Sequence, residues 1–285
     1  MKRAIALILT LSAVICLFSS CSFNFDLNAV AIKYKEVKGG LVVSGYTDKT
    51  TVTELVIPDE IGGKPVVAVL DFGVCNAESL TKITIGKNVK AIGTWAFTNN
   101  QHLREFIVDP ENEYFTTRDG ILFSKDMSTL YYYPNGRNIN FDKYGQPEKD
   151  ADGETVTTAY EIPDGVRVIR SKAFYKCYYV NVTYFPDSIE RIEEKAFHRA
   201  GALENFKMPA ELNYIGKDAF AYDEKLTELT IPSKIKEIGE YAFFNCTGMK
   251  KLTVNAKESD LTLGTKWQPT EKGKISDKCE VIFAK

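Results

Sequence analysis

The sequence predicts a β-rich α/β solenoid, with stacked coils of parallel strands, short helical turns between them and a β cap at each end. Thr183 to Met249 is one unit written three times: TYFPDSIERIEEKAFHRAGAL, FKMPAELNYIGKDAFAYDEKL and LTIPSKIKEIGEYAFFNCTGM, each starting 23 residues after the last. Phe197, Phe220 and Phe243 mark the beat, and Ile192, Ile215 and Ile238 keep the same interval five residues earlier. A period of this length belongs to solenoids and arrays, in which each unit buries its apolar face only against its neighbours. The third observation is a proline after the first apolar pair of each unit (Pro163, Pro186, Pro209, Pro232). Proline donates no backbone hydrogen bond, so it suits the point where a strand leaves its ladder and opposes an all-helical repeat.

The chain opens with Lys2 and Arg3, an apolar run from Ala4 to Phe18, and then Ser19-Ser20-Cys21. The run is too short to span a bilayer, and its flanks are those of a signal peptide over residues 1–20. Leu17-Phe18-Ser19-Ser20-Cys21 resembles a bacterial lipobox, with Phe18 in place of the usual leucine. That resemblance implies cleavage before Cys21, lipid on its thiol, and membrane association through this N-terminal lipid alone. The net charge is −2, and −4 once residues 1–20 are removed, since they hold two cations and no acid. Such a balance opposes nucleic-acid binding, which requires a basic face.

Residues 21–40 read as a tether closed by Gly39-Gly40. Residues 41–54 read as an N-terminal β cap, from β-branched runs around Gly45-Tyr46-Thr47-Asp48. Repeats then occupy 55–249. In the first, Val74 stands where the others carry phenylalanine; the second is cleaner, with Ile83, Ile85, Val89, Ile92 and Phe97. The unit spanning 106–159 is swollen. Within it, Gly120-Ile121-Leu122-Phe123 and Leu130-Tyr131-Tyr132-Tyr133 flank a polar turn and predict a hairpin, followed by an exposed Gly/Asp-rich loop from Pro134 to Thr158. Regular units resume at Tyr160. Residues 250–285 read as a C-terminal cap of two strands, around Leu252 and Val281.

Within a unit, alternate residues such as Leu229 and Ile231 face the core, and Ile235, Ile238 and Phe243 return the chain to it. Glu240-Tyr241-Ala242-Phe243 and its counterparts suit a short helical turn. The pattern L-x-x-[LIF]-x-[IMF]-P-x-x-[IVL]-x-x-[IV]-x-x-x-A-F resembles the BspA-like, Treponema-type leucine-rich repeat. It covers residues 52–249, and Ala-Phe is intact at Phe97, Phe174, Phe197, Phe220 and Phe243. The resemblance implies a right-handed arc or horseshoe with parallel strands. It further implies a bacterial cell-surface protein that binds host or bacterial proteins. A lipid anchor would place it in the cell envelope, at the outer membrane, exposed at the surface. Glycan binding by an envelope-anchored accessory protein is the alternative.

No nucleophile elbow, phosphate loop or His-Glu-x-x-His motif is present, and the two histidines lack metal-ligand spacing. No enzyme activity, cofactor or metal is therefore expected. Glu148 to Gly153 can be laid over a calcium loop, but the position needing a bidentate acid falls on Ala159. Cys177 and Cys246 share a slot three repeats apart, about 14 Å at ~4.8 Å per coil, beyond disulfide reach. Cys246 with Cys279 is a possible pairing. The candidate ligand surface is aromatic: Tyr131, Tyr132 and Tyr133 in the swollen unit, Tyr184 on a strand, and Tyr175, His198 and Phe244, each directly after a core phenylalanine. Such rings dominate binding hot spots.

Overall fold

A computed structural model describes residues 32–47, 51–142, 145–271, 274–275 and 278–285. The signal stretch and Cys21 lie outside the described residues. The chain winds into coils with three sides. One side carries strands of mostly four residues: Glu54–Ile57, Lys82–Ile85 and Glu105–Val108 form one parallel group. Glu228–Ile231, Lys251–Val254 and Glu280–Phe283 form another. The second side carries two-residue strands, among them Val168–Ile169, Arg191–Ile192, Tyr214–Ile215 and Glu237–Ile238. Arg191 pairs with Tyr214 and Tyr214 with Glu237, so one sequence period is one coil.

The third side is made of turns. Phe174 donates its N–H to Ala196 C=O at 2.7 Å, and Phe197 and Phe220 repeat the bond to Ala219 and Ala242 at 2.8 Å. Where the sequence suggested short helical turns, Ala96-Phe97 is followed by left-handed Asn99, and each later Ala-Phe is bracketed by two residues of left-handed backbone. Lys172, Lys195, Asp218 and Tyr241 (φ 53 to 63°) precede it, and Lys176, Arg199, Tyr222 and Asn245 (φ 57 to 66°) follow. A left-handed residue reverses the local winding, so no helix propagates through these positions. The one helix among the described residues is a single 3₁₀ turn, Glu258–Asp260. Inside, the rings of Phe174, Phe197, Phe220 and Phe243 stack at 4.8, 5.3 and 5.4 Å, with planes within 9° of parallel.

Three features depart from expectation. The N-terminal cap begins inside the span read as a tether, because Ile32–Val37 pairs antiparallel with Gly40–Tyr46 and Ile32 is buried. The swollen unit contributes three strands rather than a simple hairpin, since Phe115–Arg118 also pairs with Ile121–Ser124. Ile121 and Phe123 pack on the C-terminal core while Leu122 packs on the N-terminal one, so this strand is buried on both faces. Consequently Tyr132 and Tyr133 are buried rather than surface residues. Tyr133 takes the phenylalanine place, bonding Ala173 C=O at 2.9 Å and stacking on Phe174 at 5.1 Å.

Candidate functional site: an aromatic ladder along the turns

Left-handed residues beside the Ala-Phe pairs turn neighbouring side chains outward, and from coil to coil these chains meet. Phe72 stacks on Trp95 at 5.6 Å, and Trp95 meets Tyr175 edge-on at 5.7 Å. Tyr175 stacks on His198 at 5.3 Å, His198 meets Tyr222 at 5.3 Å, and Tyr222 meets Phe244 at 5.6 Å. Tyr241 closes the row against Phe244 at 5.3 Å. Seven rings thus form one continuous stripe, half-buried except for the exposed Phe72.

Tyr175, His198 and Phe244 come together in this stripe, as their shared slot suggests. Tyr222 replaces the missing ring where that slot holds Ala221, reaching in from one residue further on. Trp95 and Tyr241 enter from the position before Ala-Phe, and Phe72 from the matching position before Gly73-Val74. Spacing from the core phenylalanine alone does not find them, because rings arrive from both sides of the turn. Tyr184 lies apart on the strand side, exposed, with its hydroxyl donating to Asp164 Oδ1 at 2.9 Å. Tyr131 is half-buried, one face covered by the Arg170 guanidinium at 4.2 Å and its edge against Phe115.

Cations cover the ring faces. Lys172 Nζ sits 3.6 Å over Trp95, Lys176 5.4 Å from Tyr175, Arg199 4.6 Å over Tyr222 and Lys217 5.7 Å from Tyr241. Such placement draws each cation to the negative face of the ring. Burial lowers Lys172 to a pKa of about 8, with Glu194 opposing the shift. Burial likewise lowers His198 to about 4, so its imidazole is neutral at pH 7 and stacks as an uncharged ring. Among the described residues, the row sets half-buried rings against basic side chains.

The remaining candidates are structural. Asp150 Oδ1 accepts the N–H groups of Asp152 and Glu154, closing the turn it begins. Cys75, Cys177, Cys246 and Cys279 are free thiols, and Cys246 and Cys279 are not joined. Cys246 Sγ lies 3.0 Å from Phe220 C=O.

Comparison with known proteins places these coils. The BspA type leucine-rich repeat region matches in six copies, over residues 64–139 and 153–263. No curated protein sequence matches. Among solved structures, the pneumococcal vaccine antigen PcpA is similar over 82% of this chain and 68% of its own, at 20% identity and a TM-score of 0.59. A leucine-rich repeat protein from Bacteroides ovatus aligns over 92% of this chain and 79% of its own, at 18% identity and a TM-score of 0.45. The T. pallidum leucine-rich repeat protein aligns over 83% and 84%, at 21% identity and a TM-score of 0.40.

Proposed function

Because the chain belongs to the BspA-type leucine-rich repeat family, we propose that it is a non-enzymatic protein-binding module whose contact surface is the aromatic ladder. The observation that carries this reading is the row Phe72, Trp95, Tyr175, His198, Tyr222, Phe244 and Tyr241, assembled from six coils into one stripe. Tyrosine and tryptophan, enriched at protein hot spots, offer large rigid area at low entropic cost. Held coil to coil by backbone hydrogen bonds, these rings lose little further freedom when a partner docks.

The protein acts at the bacterial cell envelope, held by lipid on Cys21, as an adhesive or scaffolding component. Lys2-Arg3, the apolar run to Phe18 and the lipobox-like Leu17 to Cys21 support this placement. Replacing Cys21 with serine is expected to move the protein from the membrane to the soluble fraction; unchanged fractionation would overturn the anchor.

The full chain, screened against host and bacterial extracellular proteins and against a glycan panel, tests the binding role. Capture of a protein that is lost in Trp95→Ala and Tyr175→Ala supports it. Binding confined to glycans would reject it in favour of a glycan-binding accessory role.

A further inference from the structure

We propose that the middle of the ladder holds a carboxylate subsite, so that the protein partner is engaged through an acidic peptide segment. This rests on the ladder being a protein-binding surface and adds the chemistry of what it binds. Several coils pair opposite charges one period apart: Arg167 with Glu190 at 2.7 Å, Lys217 with Glu240 at 2.5 Å, and Lys234 with Glu211. Lys176 and Arg199 are not paired in this way. They occupy the same left-handed position on successive coils, joined by Lys176 N–H to His198 C=O at 2.9 Å, and both are cations. Among the described residues neither forms an ion pair. Lys176 Nζ donates instead to Asn99 Oδ1 at 3.1 Å, and Arg199 rests on Tyr222. Two adjacent, unneutralised cations on a chain of net charge −2 form a site in want of an anion.

A recess of about 530 Å³ opens beside Arg199, lined also by Tyr178, Gly201, Tyr222, Glu224, Lys225 and Asn245, so that it holds one carboxylate against two cations. Tyr222 holds the Arg199 guanidinium carbon 4.6 Å from its ring centroid. The N–H fork is therefore pre-oriented for a bidentate carboxylate. Gly201 keeps the recess open: a Cβ there would meet only Tyr178, at 3.6 Å, and its backbone lies outside the left-handed region. A peptide is favoured over a sugar because the ring faces are already occupied. Tyr175 stacks on His198 with planes 29° apart, and Arg199 sits over Tyr222, so the flat faces on which sugars lie are already in contact within the row.

The test uses the full chain and a fluorescein-labelled poly-glutamate peptide, with the poly-glutamine peptide and a sulfated oligosaccharide as comparators. Arg199→Asn retains the left-handed turn, since Asn99 and Asn245 already occupy that position on other coils; Gly201→Leu fills the recess without touching a charge. Each is expected to weaken poly-glutamate binding by about ten- to a hundredfold, the worth of a hydrogen-bonded charge. Arg199→Lys should retain part of it, and salt should weaken the wild-type complex. Equal binding of poly-glutamine, unchanged affinity in both variants, or binding of the sulfated oligosaccharide alone would overturn the subsite. The wider reading of the ladder fails separately, if Trp95→Ala leaves capture of a whole protein partner intact.

Discussion

Asp223 Oδ1 accepts the N–H of Ala200, one coil earlier, at 2.8 Å, while its Oδ2 is buried with no hydrogen-bond partner. The same place three residues past Phe97 holds Asn100, which accepts from Ala77 N–H at 2.9 Å and donates to Val74 C=O at 2.8 Å. Asparagine satisfies both halves of the site, and aspartate satisfies one. Burial drives the Asp223 carboxyl well above the ordinary range, so the fold prefers it protonated. A raised folded pKa means that its contribution is full below the unfolded value of ~3.9 and is lost as pH rises towards the folded value. Asp223→Asn is expected to stabilise the protein at pH 7 by about 1–3 kcal/mol. Its advantage should shrink as the pH is lowered towards 4. Thermal melts at several pH values check this, and a gain independent of pH would refute the assignment.

Phe220 is sandwiched between Phe197 at 5.3 Å and Phe243 at 5.4 Å, and all three are fully buried. Phe220→Ala opens a cavity in the middle of the stack, which neighbouring coils cannot close without breaking their backbone bonds. The expected cost is about 3–5 kcal/mol. Denaturant titration should show the midpoint falling accordingly; a variant within a degree or two of wild type in melting temperature would count against the stack as the core.

How far this architecture is readable in the residues depends on which atoms set each feature. The coil period is plain because the Phe197, Phe220 and Phe243 interval is the register itself, as the pairing of Glu228 with Lys251 shows. The ladder is half readable. Tyr175, His198 and Phe244 share a slot, but Tyr222 and Trp95 come from different slots, Tyr222 from a left-handed residue and Trp95 from the residue before Ala96-Phe97, and only the folded turns bring them into line. Tyr132 and Tyr133 mislead because alternation presumes one wet face, whereas the swollen unit is packed between two cores. A one-residue slip is also hidden. Tyr160 pairs with Val182 but Glu161 with Tyr184, so Thr183 drops out of register and the segment 204–208 forms no strand. Phe206 instead lays its ring on Phe185 at 3.9 Å.

Lys172 is 2% exposed, and its ammonium lies 3.6 Å over Trp95. Burial lowers its pKa to about 8, so below that pH the fold carries a poorly solvated charge that the ring only partly offsets. For a lysine lowered in the folded state, the unfolded chain binds more protons between pH 8 and ~10.4, and stability rises with pH across that window. Lys172→Met keeps the stem and removes the charge. It is expected to gain about 1 kcal/mol at pH 7, taking the buried charge to cost slightly more than the ring returns. The gain should narrow as pH approaches 10, and paired denaturation curves at pH 7 and pH 9.5 measure the difference.

Tyr222 separates binding from folding, which Phe220 cannot do. Its ring touches His198 at 5.3 Å and Phe244 at 5.6 Å along the surface stripe, and it contributes nothing to the internal stack. Its backbone φ of 66° is one that asparagine adopts readily, as Asn245 does in the same position on the next coil. Tyr222→Asn is therefore expected to change stability by less than about 1 kcal/mol, as surface changes usually do. Loss of a central aromatic contact costs on the order of 2 kcal/mol or more in binding, roughly thirtyfold in Kd. Calorimetry of the variant beside its affinity for a captured partner gives both numbers. Unchanged affinity would detach function from the ladder, and a large drop in melting temperature would show the ring to be core.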